Sequence, residues 1–148
     1  MPIRAVVYVS EACTNIASPT PEARARLDAL VEDAMRFNRS AGVTGVLMFD
    51  GERFLQYIEG PVDGLSVAYS RVLGATSHHG LAELQRGRVG QRRLPYWPMR
   101  WLSLEPQDLR QLALSDWTRF NQRGDSQALS GTAMDRPIQL VEPHTSIA

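Results

Sequence analysis

The sequence predicts an α+β fold: one sheet with two helices packed on one of its faces. Three observations lead there. Short apolar stretches alternate with a period of two, as strands do. Between them lie two longer stretches whose apolar residues recur every three or four positions, as on a helix. Gly, Pro and Asp residues separate the pieces. Their order along the chain is β-α-β-β-α-β-β, which is ferredoxin-like; the strand order within the sheet is taken by analogy.

Residues 3–10, "IRAVVYVS", form the first strand, with Val6 and Tyr8 on one face and Ala5, Val7 and Val9 on the other. The polar linker "EACTNIASPTPEA" leads to a helix from Pro21 or Glu22 to Arg39. Thr20 caps it, Pro21 occupies its first turn and Gly42 stops it. Its buried stripe is Leu27, Leu30, Val31 and Ala34, ending on Phe37 or Asn38. "GVLMFD" and "ERFLQYIE" are the next two strands, joined by a hairpin at Asp50-Gly51. Gly60-Pro61 ends the pair. Residues 62–73 read as the second helix, with Leu65, Ala68, Tyr69 and Val72 inward. "GATSHHG" reads as a turn, 81–89 as a weaker strand, "GQRRLPYWP" as a loop and "MRWLSL", 99–104, as the fifth strand.

The strands are apolar on both faces, and two helices cover only one. The other face needs the C-terminal segment or a second copy of the chain. Leu109, Leu112, Trp117 and Phe120, on one broken helix or two short ones, are candidates for that layer. The chain divides into residues 1–105, a helical extension at 106–123, and a flexible or partly ordered tail at 124–148 in which "RPIQLVEP" looks ordered.

Sixteen basic residues, all arginine, balance sixteen acidic ones over 148 residues. That balance argues against a nucleic-acid partner, whose binding proteins usually carry a positive field. Cys13 is the only cysteine, so no internal disulfide forms, which suits a reducing compartment. The N-terminus lacks a signal-peptide pattern. No apolar run approaches the roughly 20 residues a membrane span needs. A cytoplasmic protein without a membrane partner is expected.

One residue does not fit its strand. In "GERFLQYIEGP", Gln56 lies between Phe54 and Ile58 on an apolar face, and an unpaired buried amide costs about 1–3 kcal/mol. Tyr8 falls on the same side. Asn38 ends the helical stripe, and Trp97 and Met99 lie near the start of the fifth strand. A phenol, two amides, an indole and a thioether at one end of a groove suit a planar organic ligand. Each also has an ordinary reading: a half-buried tyrosine, a helix-end asparagine, a backbone-paired glutamine, a plug and a gap filler.

These residues resemble the BLUF family of blue-light-sensing flavin photoreceptors. The resemblance runs from about Ile3 to Leu104 and rests on "VVYVSEA", "FNRSAGVTGVLMFDGERFLQYIEGP", "YSRVLGATSHH" and "LPYWPMRW". It implies a blue-light receptor rather than an enzyme, with a non-covalent flavin, usually FAD, between the two helices; FMN or riboflavin are alternatives. It implies that Asn38 holds a flavin carbonyl and that Gln56 bridges Tyr8 to the ring. Trp97 and Met99 would follow the switch, and Arg71 and His78 would lie near the ribityl-phosphate end. Light-driven electron and proton transfer from Tyr8, followed by rotation or tautomerisation of Gln56, would give a small red shift that decays in darkness. The resemblance also favours a homo-oligomer acting on a further protein through the C-terminal segment, since no output domain follows the sheet.

The chain departs from the family pattern in three places. The Tyr8–Asn38 interval is several residues longer. Ala75, Thr76 and Ser77 replace charged groups near the expected cofactor tail, and Phe37 replaces a polar residue. A flavin-free interaction module is therefore the main rival. A small acyl-phosphate hydrolase would have only Arg71, His78 and Asn38, with no glycine-rich anion loop. An RNA-binding module would need exposed sheet aromatics, whereas Leu47, Phe49, Leu55 and Tyr57 read as covered. His78-His79 lacks a third metal ligand.

Overall fold

The computed structural model describes residues 3–89, 91–117 and 134–145. Strand β1 (Ile3–Ala12) is followed by a short helix α1 (Thr14–Ala17) and the long helix α2 (Pro21–Ala41). The hairpin β2 (Thr44–Phe49) and β3 (Arg53–Pro61), helix α3 (Val62–Leu73), and strands β4 (His78–Arg88) and β5 (Trp101–Ser103) complete the sheet. Helices α4 (Pro106–Ala113) and α5 (Asp135–Thr145) come last. The strand order is β4-β1-β3-β2-β5. All neighbours are antiparallel except β2 and β5, which run parallel. This is the expected ferredoxin-like arrangement with C-terminal helices added.

Period-two alternation sorts the strands into two layers. Val6, Leu47, Phe49, Phe54 and Ile58 pack with Leu27, Val31, Leu65 and Ala68 of the two helices. Ala5, Val7, Val46, Met48, Leu55 and Tyr57 face the other way, against Leu109, Leu112, Trp117, Met134 and Val141. The chain's own C-terminal helices thus cover the second face, and each fully buried aliphatic side chain contributes about 1.5–3 kcal/mol. The Arg136–Asp108 ion pair, 3.9 Å, links α5 to α4. Phe120 and much of the expected tail lie outside the described residues.

The long helix obeys its sequence signals. The Thr20 hydroxyl accepts from the Ala23 N–H at 3.1 Å, with Pro21 opening the helix. Gly42 ends it at φ 74°, the left-handed conformation glycine adopts most cheaply. Where α3 crosses the end of α2, Gly64 lies so close to the Ala41 carbonyl that a Cβ there would overlap its oxygen.

Several expectations need correction. The tight turn sits at Gly51-Glu52, one residue later than Asp50-Gly51. The Asp50 carboxylate accepts from the Glu52 and Arg53 N–H groups at 2.9 and 2.7 Å, and the Asp50 N–H bonds the Arg53 carbonyl. The linker after β1 contains a helical turn that buries Ile16. Strand β4 begins at His78 rather than 81, because β1 continues to Ala12 and pairs with His78 there. It is an edge strand with mostly exposed side chains, so it carries no clear alternation. The fifth strand is only Trp101–Ser103, which leaves Trp97 and Met99 in the loop before it.

Candidate flavin cleft

A cleft of about 200 Å³ opens between α2, α3 and the sheet. Tyr8, Asn38, Gln56, Arg71, His78 and Met99 all line it, together with Asp33, Ala75 and Ser77. Tyr8 and Gln56 are directly opposed in the β1–β3 register, so both side chains leave the sheet on the same face. The Tyr8 hydroxyl donates to Gln56 Oε1. The other end of that amide, Nε2, donates to Met99 Sδ at 3.4 Å. Asn38 Nδ2 donates to the Pro98 carbonyl at 3.0 Å, tying α2 to the loop that delivers Met99.

Burial controls the chemistry of Tyr8. The residue is 3% exposed, and desolvation, with a smaller contribution from Tyr69, pushes its pKa far above the ordinary 10. It is therefore a neutral phenol with its proton directed at Gln56. Tyr69, whose ring centroid is 6.0 Å away, donates to Glu83 at 2.9 Å. Desolvation and that carboxylate push it up to about 12. Burial and Glu59 likewise raise Tyr57. A phenol whose folded pKa exceeds its unfolded value stabilises the fold fully below pH 10 and loses that contribution as pH rises through the folded value. Urea midpoints should therefore fall progressively as pH rises above 10, with tyrosinate absorbance appearing as the chain unfolds. A flat profile would contradict these assignments.

The rim is less prepared for charge. Arg71, the one arginine among the described lining residues, bonds Asp33 Oδ2 at 3.2 Å and lies over the Phe37 ring at 4.2 Å. His78 Nε2 lies 2.8 Å from the Val72 carbonyl and Nδ1 lies 2.6 Å from Ser10 Oγ. In the neutral ring Nε2 donates and Nδ1 accepts, so both nitrogens are used within the chain. Among the described residues no cluster of three metal-ligating side chains occurs.

Trp97 does not join this group. It packs against the opposite layer, beside Tyr96 and under the Arg100 guanidinium. Segment 97–100 is irregular, so a two-residue spacing does not keep Trp97 and Met99 on one side. The sequence reading also missed Glu59, a fully buried carboxylate on the outer face of β3. Its signal was its place in an otherwise apolar strand, the same signal that singled out Gln56.

The polar atoms suit a planar heterocycle. Asn38 and Gln56 are each 5% exposed. Among the described residues no hydrogen bond reaches Asn38 Oδ1, and the Gln56 NH₂ meets only a thioether, a weak acceptor. Buried amide atoms left open in this way call for a ligand with matching donors and acceptors. A flavin ring, with carbonyls and ring nitrogens along one edge, meets that requirement.

Comparison with known proteins agrees. Residues 3–100 match the BLUF family, sensors of blue-light using FAD. The blue light- and temperature-regulated antirepressor BluF of Escherichia coli (strain K12) is 32% identical over 59 residues, 40% of this chain. The match spans only 15% of that protein's length. The dark-state structure of the BLUF protein BlrB superposes with a TM-score of 0.66 at 22% identity, covering 94% of this chain and 97% of that one. BlrP1 BLUF gives 0.63 at 28% identity, covering 95% and 90%. A sheet carrying an opposed tyrosine and glutamine in a two-helix cleft, and a match over residues 3–100, place this chain in the BLUF family of blue-light sensors.

Proposed function

We propose that this chain senses blue light through a flavin held between α2 and α3, and that rearrangement of the Gln56 amide is its switch. One observation carries the reading: Gln56 is hydrogen-bonded to Tyr8 through its oxygen, while its nitrogen faces only the Met99 sulfur. When bound, a flavin supplies absorption of blue light, oxidising power in its excited state, and hydrogen-bonding atoms along one ring edge. Tyr8, neutral and buried, is the donor of an electron and a proton. Gln56 has a donor and an acceptor on one short arm, so turning its amide exchanges the positions of the two, and tautomerising it exchanges their roles with the heavy atoms in place. Asn38 fixes the ring edge through its open Oδ1. Met99 reads the amide from the loop, and Trp97 follows on the other side of the sheet.

Arg71 and His78 are assigned to the cofactor's tail. FAD is the family's cofactor, with FMN and riboflavin as alternatives. The Asp33 partner of Arg71 and the neutral Ala75 and Ser77 lower the attraction for phosphates in this chain. Residues 1–105 form the sensing unit, and the following helices carry the signal to a second copy or a further protein in the cytoplasm. The single cysteine supports that setting. Among the described residues no helix is long and apolar enough to cross a membrane.

The test is the visible spectrum of the purified protein before and after blue light. A flavin spectrum that moves slightly red and recovers in darkness is expected. A flavin spectrum that never moves would mean a broken switch. No visible band after adding FAD would favour the flavin-free interaction module.

A further inference from the structure

Strand β3 carries Gln56 on its cleft face and, three residues later, Glu59 on the opposite face. Glu59 is 0% exposed. Three donors converge on its carboxylate. The Tyr57 hydroxyl and the Arg93 N–H both reach Oε1 at 2.8 Å, and the Leu94 N–H reaches Oε2 at 2.7 Å. Burial pushes this carboxyl above the ordinary 4.5, while the two backbone N–H groups and the Tyr57 hydroxyl oppose the rise. A buried carboxyl is kept at such a cost only where acceptors are needed.

What it holds is the loop before β5. Arg92, next to the anchored residues, donates to the Gly42 carbonyl at 2.6 Å, Thr44 Oγ1 at 2.8 Å and the Glu59 carbonyl at 3.3 Å. A few residues on, the same loop presents Pro98 to Asn38 and Met99 to Gln56. Leu94 and Met99 are five residues apart, a tether of at most roughly 18 Å when fully extended. The two anchored ends of the loop are thus close along the chain, so the position of one restricts where the other can lie.

We propose that Glu59 is a positioning residue for the light switch: its carboxylate anchors the loop that sets Met99 against the Gln56 amide. The proposal rests on the photoreceptor reading above. A carboxylate suits the task because it accepts at both oxygens. Glutamine in its place has one oxygen and turns an NH₂ toward one of the loop's own N–H donors.

The experiment compares Glu59→Gln with Tyr57→Phe in the full chain. Tyr57→Phe removes the third donor but leaves both bonds to the loop. Amide exchange at Arg93 and Leu94, followed without flavin, should be roughly tenfold faster or more in Glu59→Gln and close to wild type in Tyr57→Phe. With flavin bound, Glu59→Gln should keep a red shift but change its dark-recovery rate severalfold, and Tyr57→Phe should not. Glu59→Asp, which keeps the charge but shortens the arm, should move both readouts in the same direction and serves if Glu59→Gln does not fold. Equal exchange in the two variants would overturn the proposal. So would faster exchange in Glu59→Gln with unchanged recovery. A wild-type chain that binds flavin but shows no shift would sink the photoreceptor reading, and the switch role with it. Exchange data alone would then describe only a structural tie.

Discussion

A Gln56→Leu variant loaded with flavin is expected to show no light-induced red shift while retaining the bound cofactor. Leucine has a similar volume and suits the apolar neighbours Phe54, Ile58 and Leu47. It removes both the acceptor used by Tyr8 and the donor aimed at Met99. Asn38 and the cleft walls remain, so binding persists. The Tyr8 hydroxyl then lacks its acceptor in a buried site, a loss of about 1–3 kcal/mol that should appear as a lower unfolding midpoint. Dark-minus-light visible spectra decide the matter. A shift of wild-type size in this variant would show that another group carries the switch.

The largest structural effect should come from Gly64→Ala. A Cβ at that position would overlap the Ala41 carbonyl oxygen and lie 3.0 Å from the carbonyl carbon. Both atoms belong to helix backbone, so rotation of a side chain cannot relieve the clash. The helices must separate, and the cleft lies between them. A loss of about 3 kcal/mol or more is expected, at the upper end for overpacking. Flavin affinity should fall with it, because the walls carrying Asn38 and Arg71 move apart. Urea unfolding and a flavin titration measure the two effects. An unchanged midpoint would mean that the helix crossing is far softer than its packing suggests.

The readable parts of the sequence share a physical basis. Alternation in β1 and β3 separated Val6 and Tyr8 from Ala5 and Val7, and Gln56 from Leu55 and Tyr57, because both faces of those strands are buried and the alternation is enforced. Helix α2 was legible because its cap, first-turn proline and terminal glycine are local signals. Tyr8, Asn38 and Gln56 could be brought together because each lies on a regular element. Irregular backbone defeated the rest. Trp97 and Met99 precede β5, so spacing did not fix their directions. The role of Glu59 depends on amide groups of a loop 34 and 35 residues away, and backbone donors leave no trace in side-chain identity. Strand β4 departs from its expected start at 81 because, among the described residues, only β1 pairs with it.

That edge also bears on whether another chain can extend the sheet. An eleven-residue strand with no strand paired to its outer side among the described residues is a template on which a second chain can extend the sheet. Here Glu83, Arg86 and Arg88 place charge along it, and two shifts in its pairing with β1 break the straight row of backbone donors and acceptors. At the opposite border β5 offers only three residues. Growth by strand addition is disfavoured at both borders by different means. Any second chain would then have to be met through side chains and helix surfaces rather than through shared backbone hydrogen bonds.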